Sequence, residues 1–246
     1  MRRLLDTSIA ICALLLLAPL LAVIAAAVWL EDGGSPWYRG VRVGWKGREF
    51  RMLKFRSMRL GAAQTGVNST ATGDTRVTRA GRFLRALKLD ELPQLWNVVT
   101  GEMSLVGPRP QVPEDASLYT AEERRMLKAR PGITDLASIV FSDEGEILAG
   151  SADPDLLYNQ IIRPWKSRLA LLYLERSSWS SDLRILLWTA GALVSRQWAL
   201  ARVRNLLDQW SVGQPLCSIV QRDARPPAFP PPGAREVVAK YRVKTA

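Results

Sequence analysis

The sequence predicts an α/β fold: a membrane-inserted N-terminal helix, a small mixed α/β domain, and amphipathic helices at the membrane interface. An uncharged run of 22 residues, Ile9 to Leu30, is long enough for a helix to cross the apolar part of a bilayer. Alternating apolar residues over 33–60 indicate a β-hairpin. Segments with helical spacing that are rich in Trp, Arg and Leu follow later in the chain, which is typical of helices at a membrane surface.

Composition narrows the choice of partner. With 34 Lys and Arg against 23 Asp and Glu, the net charge of +11 would attract nucleic acid, anionic lipid or phosphate-bearing substrates alike. Nine tryptophans beside many arginines favour a membrane interface among these.

The chain contains no histidine, which excludes a Ser-His-Asp triad, a histidine general base and most zinc sites. The two cysteines, Cys12 and Cys217, are far apart in sequence and form neither a disulfide framework nor a metal knuckle.

Pro19 lies in the middle of the apolar run and removes one backbone donor, so the helix should kink there. A kinked helix can enter the membrane, turn and leave on the same face. A cleaved signal peptide and a straight span are the alternatives. Arg2 and Arg3 before the run, with Glu31 and Asp32 after it, favour the span.

Residues 33–60 predict a hairpin with Lys46 and Gly47 at its tip. Side chains alternate along a strand, so Lys54 and Arg56 leave the second strand on the same side. They line either a binding site or a solvated edge. Residues 61–75 show no periodicity and predict a loop, which is either a lid or a plain connection.

Residues 77–86 have the pattern of an amphipathic helix, with apolar positions opposed by arginines that include Arg82 and Arg85. This helix either lies on anionic headgroups or packs on the core with its basic face solvated.

Asp90 and Glu91 open the next helix, with Pro93 tolerated in its first turn. Adjacent helical side chains point about 100° apart, so they do not face each other like a glycosidase pair and can have different partners. Carboxylates near arginines suit Mg²⁺ and a phosphate-rich substrate. Arg109, fixed between Pro108 and Pro110, can grip a phosphate bidentately, although Pro-Arg-Pro alone also stiffens a loop.

Three motifs are long and ungapped: Thr78-Arg-Ala-Gly-Arg-Phe-Leu-Arg85, Leu89-Asp-Glu-Leu-Pro-Gln-Leu-Trp-Asn-Val98 and Gly101-Glu-Met-Ser-Leu-Val-Gly-Pro-Arg-Pro110. Two shorter ones, Lys54-Phe-Arg-Ser-Met58 and Arg130-Pro-Gly-Ile-Thr134, support them. On these motifs the sequence resembles the bacterial sugar transferases, the monotopic phosphoglycosyl transferases, over roughly residues 1–195.

The resemblance implies a reaction. A phosphosugar passes from a nucleoside diphosphate sugar, expected to be a UDP-sugar, to an aspartate and then to polyprenyl phosphate, which starts surface glycan or glycoprotein synthesis. Asp90 would be the nucleophile, and Glu91 would support the metal or proton transfer, with both carboxylates binding Mg²⁺. The resemblance also implies a helix broken at Pro19 and a location on the cytoplasmic face of the bacterial inner membrane. Together with the strand alternation that indicates Arg56, the candidate substrate-binding residues are Lys54, Arg56, Arg85, Arg109 and Arg130.

The sequence departs from the family pattern at three positions. Asp135 and Ser138 stand where many members carry Gly and Gln, and Ala170 stands where many carry an acidic residue. These changes affect the expected sugar and nucleotide contacts, and Glu175 is a candidate replacement for the missing acid.

The chain is expected to divide into residues 1–32, a catalytic domain over 33–210, and a Pro-rich extension over 211–246. Residues 182–194 and 196–210 predict helices, the first of them either in the core or in the interface. The extension contains the apolar strings 216–220 and 237–243, which would add strands to the domain or to a second copy in a homo-oligomer. A frayed tail is the alternative.

One rival interpretation rests on charge alone. A non-enzymatic basic protein that binds membranes or nucleic acid would need Arg82 and Arg85 but not Asp90 and Glu91. The enzymatic interpretation predicts the opposite for the carboxylates, and it expects no nucleic-acid partner.

Overall fold

The computed structural model describes residues 2–241, except for the side chains of residues 63 and 64. The chain forms two compact units with interleaved segments. The first takes residues up to 66, 74–117 and 129–133, and the second takes 67–73, 118–128 and the chain from 134 on. The stretch over 33–210 therefore contributes to both units, and the C-terminal extension belongs to the second.

The first helix, α1, runs from Arg2 to Asp32 with Pro19 inside it. It is one helical element and is not divided in two at the proline. Among the described residues it is the one helix that is long and apolar enough to cross a membrane. Leu15 and Leu16, one turn before the proline, are 73% and 81% exposed.

A hairpin follows, as predicted. Strand β1 (Trp37–Val43) pairs antiparallel with β2 (Glu49–Phe55), and Trp37 stacks on Phe55 with ring centroids 5.0 Å apart. The predicted tip is confirmed, because Lys46 and Gly47 both adopt positive φ, at 59° and 74°. Such angles let the chain reverse within a few residues.

The second half of α1 packs against this hairpin. Ile24 and Val28 of α1 form a buried cluster with Phe55 and Leu84. The rest of the first unit consists of α2 (Arg79–Ala86), α3 (Gln94–Thr100), β3 (Ser104–Val106), α4 (Pro113–Ser117) and the start of β4 (Gly132–Thr134), which pairs with β3.

The amphipathic helix predicted over 77–86 is α2. The Thr78 hydroxyl caps it by accepting a 2.9 Å hydrogen bond from the backbone N–H of Gly81. Leu84 is buried, whereas Phe83 is 62% exposed. One apolar side chain thus packs inside the unit while another faces outward.

The second unit is largely helical and includes a 3₁₀ segment at Glu123–Lys128. Its helices are α5 (Leu136–Val140), α6 (Glu144–Ile147), α7 (Pro154–Ile161), α8 (Arg163–Arg176), α9 (Trp179–Ala192), α10 (Arg196–Gln209) and α11 (Leu216–Gln221).

Helices α9 and α10 confirm the predictions for 182–194 and 196–210. Ile185 of α9 is fully buried, while Trp179, Leu183 and Leu187, spaced four residues apart, are 45–59% exposed. One side of α9 therefore belongs to the core of the unit, and the other presents an apolar stripe.

The C-terminal extension contradicts the expectation of strands. Residues 216–220 form α11, because Leu216, Cys217, Ile219 and Val220 are buried together at helical spacing. Residues 237–241 carry no strand, and the remainder of that string lies outside the described residues. The Pro-rich stretch packs on its own chain, where Phe229 lies 4.6 Å from Trp165 between ring centroids.

Candidate active site

The Asp90–Glu91 pair lies on a 3₁₀ turn, Leu89–Glu91, between α2 and α3. Lys88 starts the turn in the left-handed conformation, and its carbonyl accepts from the N–H of Glu91 at 3.2 Å. The sequence predicted that these residues open a helix. The α-helix itself, α3, begins at Gln94, after the proline.

Glu91 holds two of the other predicted residues, Lys54 and Arg109, together. Its carboxylate lies 2.8 Å from the Lys54 ammonium and 2.5 Å from Nη2 of Arg109. The Glu91 side chain is only 13% exposed. A hairpin strand, the 3₁₀ turn and the Pro-Arg-Pro turn thus converge on one carboxylate.

Asp90 has a different environment although it is the next residue. It is 5% exposed, and its electrostatic neighbours include Lys54, Arg85 and Lys88. Burial raises the pKa of the Asp90 carboxyl against the pull of Lys54, and the neighbouring Glu91 charge raises it further.

The pKa of Glu91 moves the other way. Burial opposes its ionisation, but the Arg109 and Lys54 charges outweigh burial and hold its pKa well below the ordinary value. Burial lowers the pKa of Lys54, and Glu91 opposes that change. The two adjacent carboxyl groups are therefore unequal: Glu91 is a fixed anion in an ion-pair cluster, and Asp90 is a buried carboxyl whose charge is costly.

Close backbone packing fixes the position of Arg109. A Cβ on Gly107 would lie 2.5 Å from the Arg130 carbonyl oxygen, and one on Gly132 would lie 2.1 Å from the Gly107 nitrogen. The Gly132 N–H donates to the Pro108 carbonyl at 3.1 Å. Only glycine permits this approach, so the turn that carries Arg109 is clamped against the segment 130–132.

Two other predicted ligands have structural partners. Arg56 donates to both Asp32 oxygens, at 2.5 and 2.6 Å, and to the Ser35 carbonyl. Arg130 donates to the Gly101 carbonyl at 2.9 Å and stacks 4.4 Å over the Trp45 ring. Arg56 thus ties the hairpin to α1, and the substrate-binding roles of both arginines remain predictions.

The carboxylates provide a suitable donor set for Mg²⁺. Among the described residues no group of three or more His, Cys, Asp and Glu side chains could form a metal cage. Asp90 and Glu91 offer hard oxygen ligands, and Mg²⁺ is commonly bound by one or two carboxylates together with substrate phosphates. Magnesium binding by Asp90 and Glu91 therefore remains a prediction.

Two residues near this cluster were not predicted from the sequence. Gln94 is completely buried, and neither its amide nitrogen nor its amide oxygen has a hydrogen-bond partner among the described residues. Arg42 lies on β1, and the alternation of side chains along the hairpin strands could have indicated that it shares a face with Lys54. No sequence signal indicated Gln94.

The unusual residues at 135 and 138 are paired with each other. Asp135 caps α5 by accepting hydrogen bonds from the backbone N–H and the hydroxyl of Ser138, both at 2.6 Å. Glu175 forms an exposed ion pair with Arg125, so a role as substitute for the missing acid remains a prediction.

The sequence comparisons point to one family. The profile of the family described as Bacterial sugar transferase matches residues 1–196. A UDP-glucose:undecaprenyl-phosphate glucose-1-phosphate transferase of Caulobacter vibrioides is 37% identical to this chain. The alignment covers 79% of this chain and 70% of the length of that relative. The exopolysaccharide production protein ExoY of Sinorhizobium fredii is 41% identical over 56% of this chain and 68% of its own. A UDP-galactose-lipid carrier transferase of Erwinia amylovora is 34% identical over 81% of this chain but only 41% of its own.

Proposed function

This chain belongs to the bacterial sugar transferase family and is a phosphoglycosyl transferase, and from that premise we propose that it moves a sugar 1-phosphate from a UDP-sugar to undecaprenyl phosphate through a covalent intermediate on Asp90. The products would be UMP and undecaprenyl-diphosphosugar, the first lipid-linked species of a surface glycan. Family membership sets aside the interpretation of a non-enzymatic basic binder.

The proposed reaction has two steps at one phosphorus atom. An ionised Asp90 oxygen attacks the phosphorus that carries the sugar, and the bond from that phosphorus to the bridging oxygen breaks. UMP leaves with the electron pair. A phosphate oxygen of the polyprenyl acceptor then attacks the same phosphorus and displaces the Asp90 carboxylate.

The inequality of the two carboxyl groups carries this assignment. A nucleophile must be able to leave its resting contacts, and the buried Asp90 has a charge that its surroundings disfavour. Glu91 is held by Lys54 and Arg109, so it orders the cations that face the diphosphate. When bound by Asp90 and Glu91, Mg²⁺ would supply further charge neutralisation of the phosphates.

Contacts at both ends of α1 support a re-entrant rather than a spanning helix. Near the start, Arg3 donates to the Val99 carbonyl at 2.9 Å. At the end, Glu31 accepts from the Arg79 N–H at 2.8 Å, and Asp32 pairs with Arg56. All of these partners lie in the first unit, and a straight span would separate the two ends by the full bilayer thickness.

The topology is tested by labelling introduced cysteines in inverted and right-side-out vesicles. The variants Arg2→Cys and Asp32→Cys are made with Cys12 replaced by Ser. For a re-entrant helix, both introduced cysteines should react from the cytoplasmic side. Labelling from opposite faces would establish a spanning helix and contradict the proposal.

The reaction itself is tested by incubating the detergent-solubilised protein with a panel of UDP-sugars, with and without undecaprenyl phosphate. UMP release that requires a particular sugar, and a lipid-linked product, are the expected results. A protein that binds undecaprenyl phosphate but releases no nucleoside monophosphate from any donor would refute the function.

The raised pKa of Asp90 predicts the pH dependence of the first step. The attacking carboxyl must be ionised, so UMP release should fall with falling pH at values above the ordinary aspartate pKa of 3.8. Glu91 ionises at lower pH and should not set this limb. Because the Lys54 charge favours ionised Asp90, Lys54→Met should move the acid limb to higher pH.

The measurement is a pH–rate profile of UMP release without acceptor, since the acceptor phosphate has an ionisation of its own. Lys46→Met at the hairpin tip is the matched control and should leave the limb unchanged. An acid limb that is the same in Lys54→Met and in the wild type would show that Asp90 does not set it.

A further inference from the structure

The hairpin face that carries Lys54 also carries an arginine, Arg42. In the antiparallel register Tyr38 stands opposite Lys54 and Arg42 stands opposite Phe50. Side chains at every second position share a face, so Tyr38, Gly40 and Arg42 point to the same side as Lys54. Lys54 contacts Glu91, and Arg42 therefore belongs to the face directed at the candidate active site.

Gly40 allows Tyr38 and Arg42 to meet. A Cβ at this position would lie 2.7 Å from the Tyr38 ring, 2.9 Å from its hydroxyl oxygen and 3.1 Å from Nη1 of Arg42. The Tyr38 side chain hydrogen-bonds to the Arg42 guanidinium, which also donates to the Val41 carbonyl at 2.7 Å. The guanidinium is thus fixed over a residue without a side chain.

The same strand adjoins the turn that carries Arg109. The Val43 N–H donates to the Gln111 carbonyl at 2.9 Å, two residues beyond Arg109. Burial lowers the pKa of Arg42, the Arg109 charge lowers it further, and Tyr38 and Asp115 oppose the change. The two guanidinium groups repel each other in a partly buried place, and an anion placed between them would relieve that repulsion.

We propose that Arg42 is a second phosphate-binding arginine, and that Arg42 and Arg109 together bind the diphosphate of the donor substrate. This inference rests on the proposed function. A guanidinium fork binds one phosphate bidentately, so two phosphates in series call for two forks. The site would then distinguish the donor diphosphate from the acceptor, which carries a single phosphate.

The test compares Arg42→Gln with Arg39→Gln. Arg39 is an exposed residue of the same strand, stands opposite Leu53 and points to the other face, so its removal costs the same formal charge. Because a hydrogen bond to a charged group contributes about 1.5–3 kcal/mol, the KM for the UDP-sugar should rise roughly 10- to 100-fold in Arg42→Gln. The KM for undecaprenyl phosphate should stay within about twofold, and Arg39→Gln should match the wild type in both.

A smaller change in the same direction is expected for Tyr38→Phe, which keeps both arginines and removes the hydrogen bond that positions one of them. This variant keeps the proposal testable if Arg42→Gln does not fold. Equal donor KM values in the wild type, Arg42→Gln and Tyr38→Phe would overturn the proposal. A rise confined to the acceptor KM would also overturn it, because the arginine would then serve the lipid phosphate.

A binding readout separates this inference from the proposed reaction. Inorganic pyrophosphate should raise the melting temperature of the wild type and of Arg39→Gln, but not that of Arg42→Gln. No rise in the wild type, or the same rise in all three proteins, would contradict a diphosphate site at this arginine pair. If the wild type released no UMP from any donor, the proposed function would fail, while the pyrophosphate experiment would still decide the role of Arg42.

Discussion

Replacing Asp90 by asparagine should abolish UMP release while the protein stays folded. An amide of the same shape cannot attack phosphorus, so the rate of the first step should fall by roughly 10³-fold or more, as when other covalent nucleophiles are removed. Because burial disfavours the Asp90 charge, removing that charge should leave the melting temperature at neutral pH unchanged or raised.

The sign of the stability effect follows from the raised pKa. A carboxyl that binds its proton more tightly in the folded protein favours folding at low pH, and this contribution is lost as the pH rises through the raised pKa. The stability advantage of Asp90→Asn over the wild type should therefore be present at neutral pH and shrink on acidification. A thermal melt series across pH measures it.

The matched control is Asp223→Asn, an exposed residue beyond the part of the chain that matches the family. It should retain full turnover. Mass spectrometry of wild-type protein quenched with the UDP-sugar, without acceptor, should find the sugar phosphate on the peptide that contains Asp90. Substantial turnover in Asp90→Asn, or an adduct on another residue, would refute the assignment.

The second large effect concerns stability rather than chemistry, and it lies in the second unit. Arg163 donates to both carboxylate oxygens of Glu123, at 3.1 and 2.6 Å, and Glu123 is completely buried. The Ser167 hydroxyl and the Thr120 N–H also donate to this carboxylate. The charge of Glu123 is thus fully compensated within the protein.

Arg163→Met should lower the free energy of unfolding by about 3–5 kcal/mol, because it leaves a buried carboxylate without its cation. Arg125→Met is the matched control. It breaks the ion pair with Glu175, whose side chain is 50% exposed, and exposed pairs contribute less than about 1 kcal/mol. Urea unfolding in detergent, followed by tryptophan fluorescence, compares the two variants.

Adding Glu123→Gln to Arg163→Met should recover part of the loss, because the uncompensated charge is then removed. If Arg163→Met were as stable as Arg125→Met, the buried pair would contribute nothing beyond an exposed one. If the second change gave no recovery, the loss would come from packing around the arginine stem and not from the orphaned charge.

The sequence was sufficient to predict those elements that depend on interactions between residues close together in the chain. The hairpin was predictable because apolar alternation and a tip of Lys46 and Gly47 are properties of adjacent residues, and α2 was predictable from its amphipathic period. The apolar string at Leu216–Val220 was not, because a short run rich in β-branched residues suits a strand or a buried helix equally well. This segment is a helix because its apolar side chains are buried together in the second unit at helical spacing.

The site shows the same division. The sequence by itself was enough to predict the candidate site residues: the Asp90–Glu91 pair, Lys54 and the arginine between two prolines, because their motifs can be read directly from the chain. Only the tertiary structure showed their environments, by burying Asp90, by pairing Glu91 with Lys54 and Arg109, and by turning Arg56 toward Asp32. It also placed Arg42 where the Arg109 charge acts on it. These outcomes depend on burial and on charges from distant segments, and the electrostatic environment of a side chain is fixed only when those segments pack together.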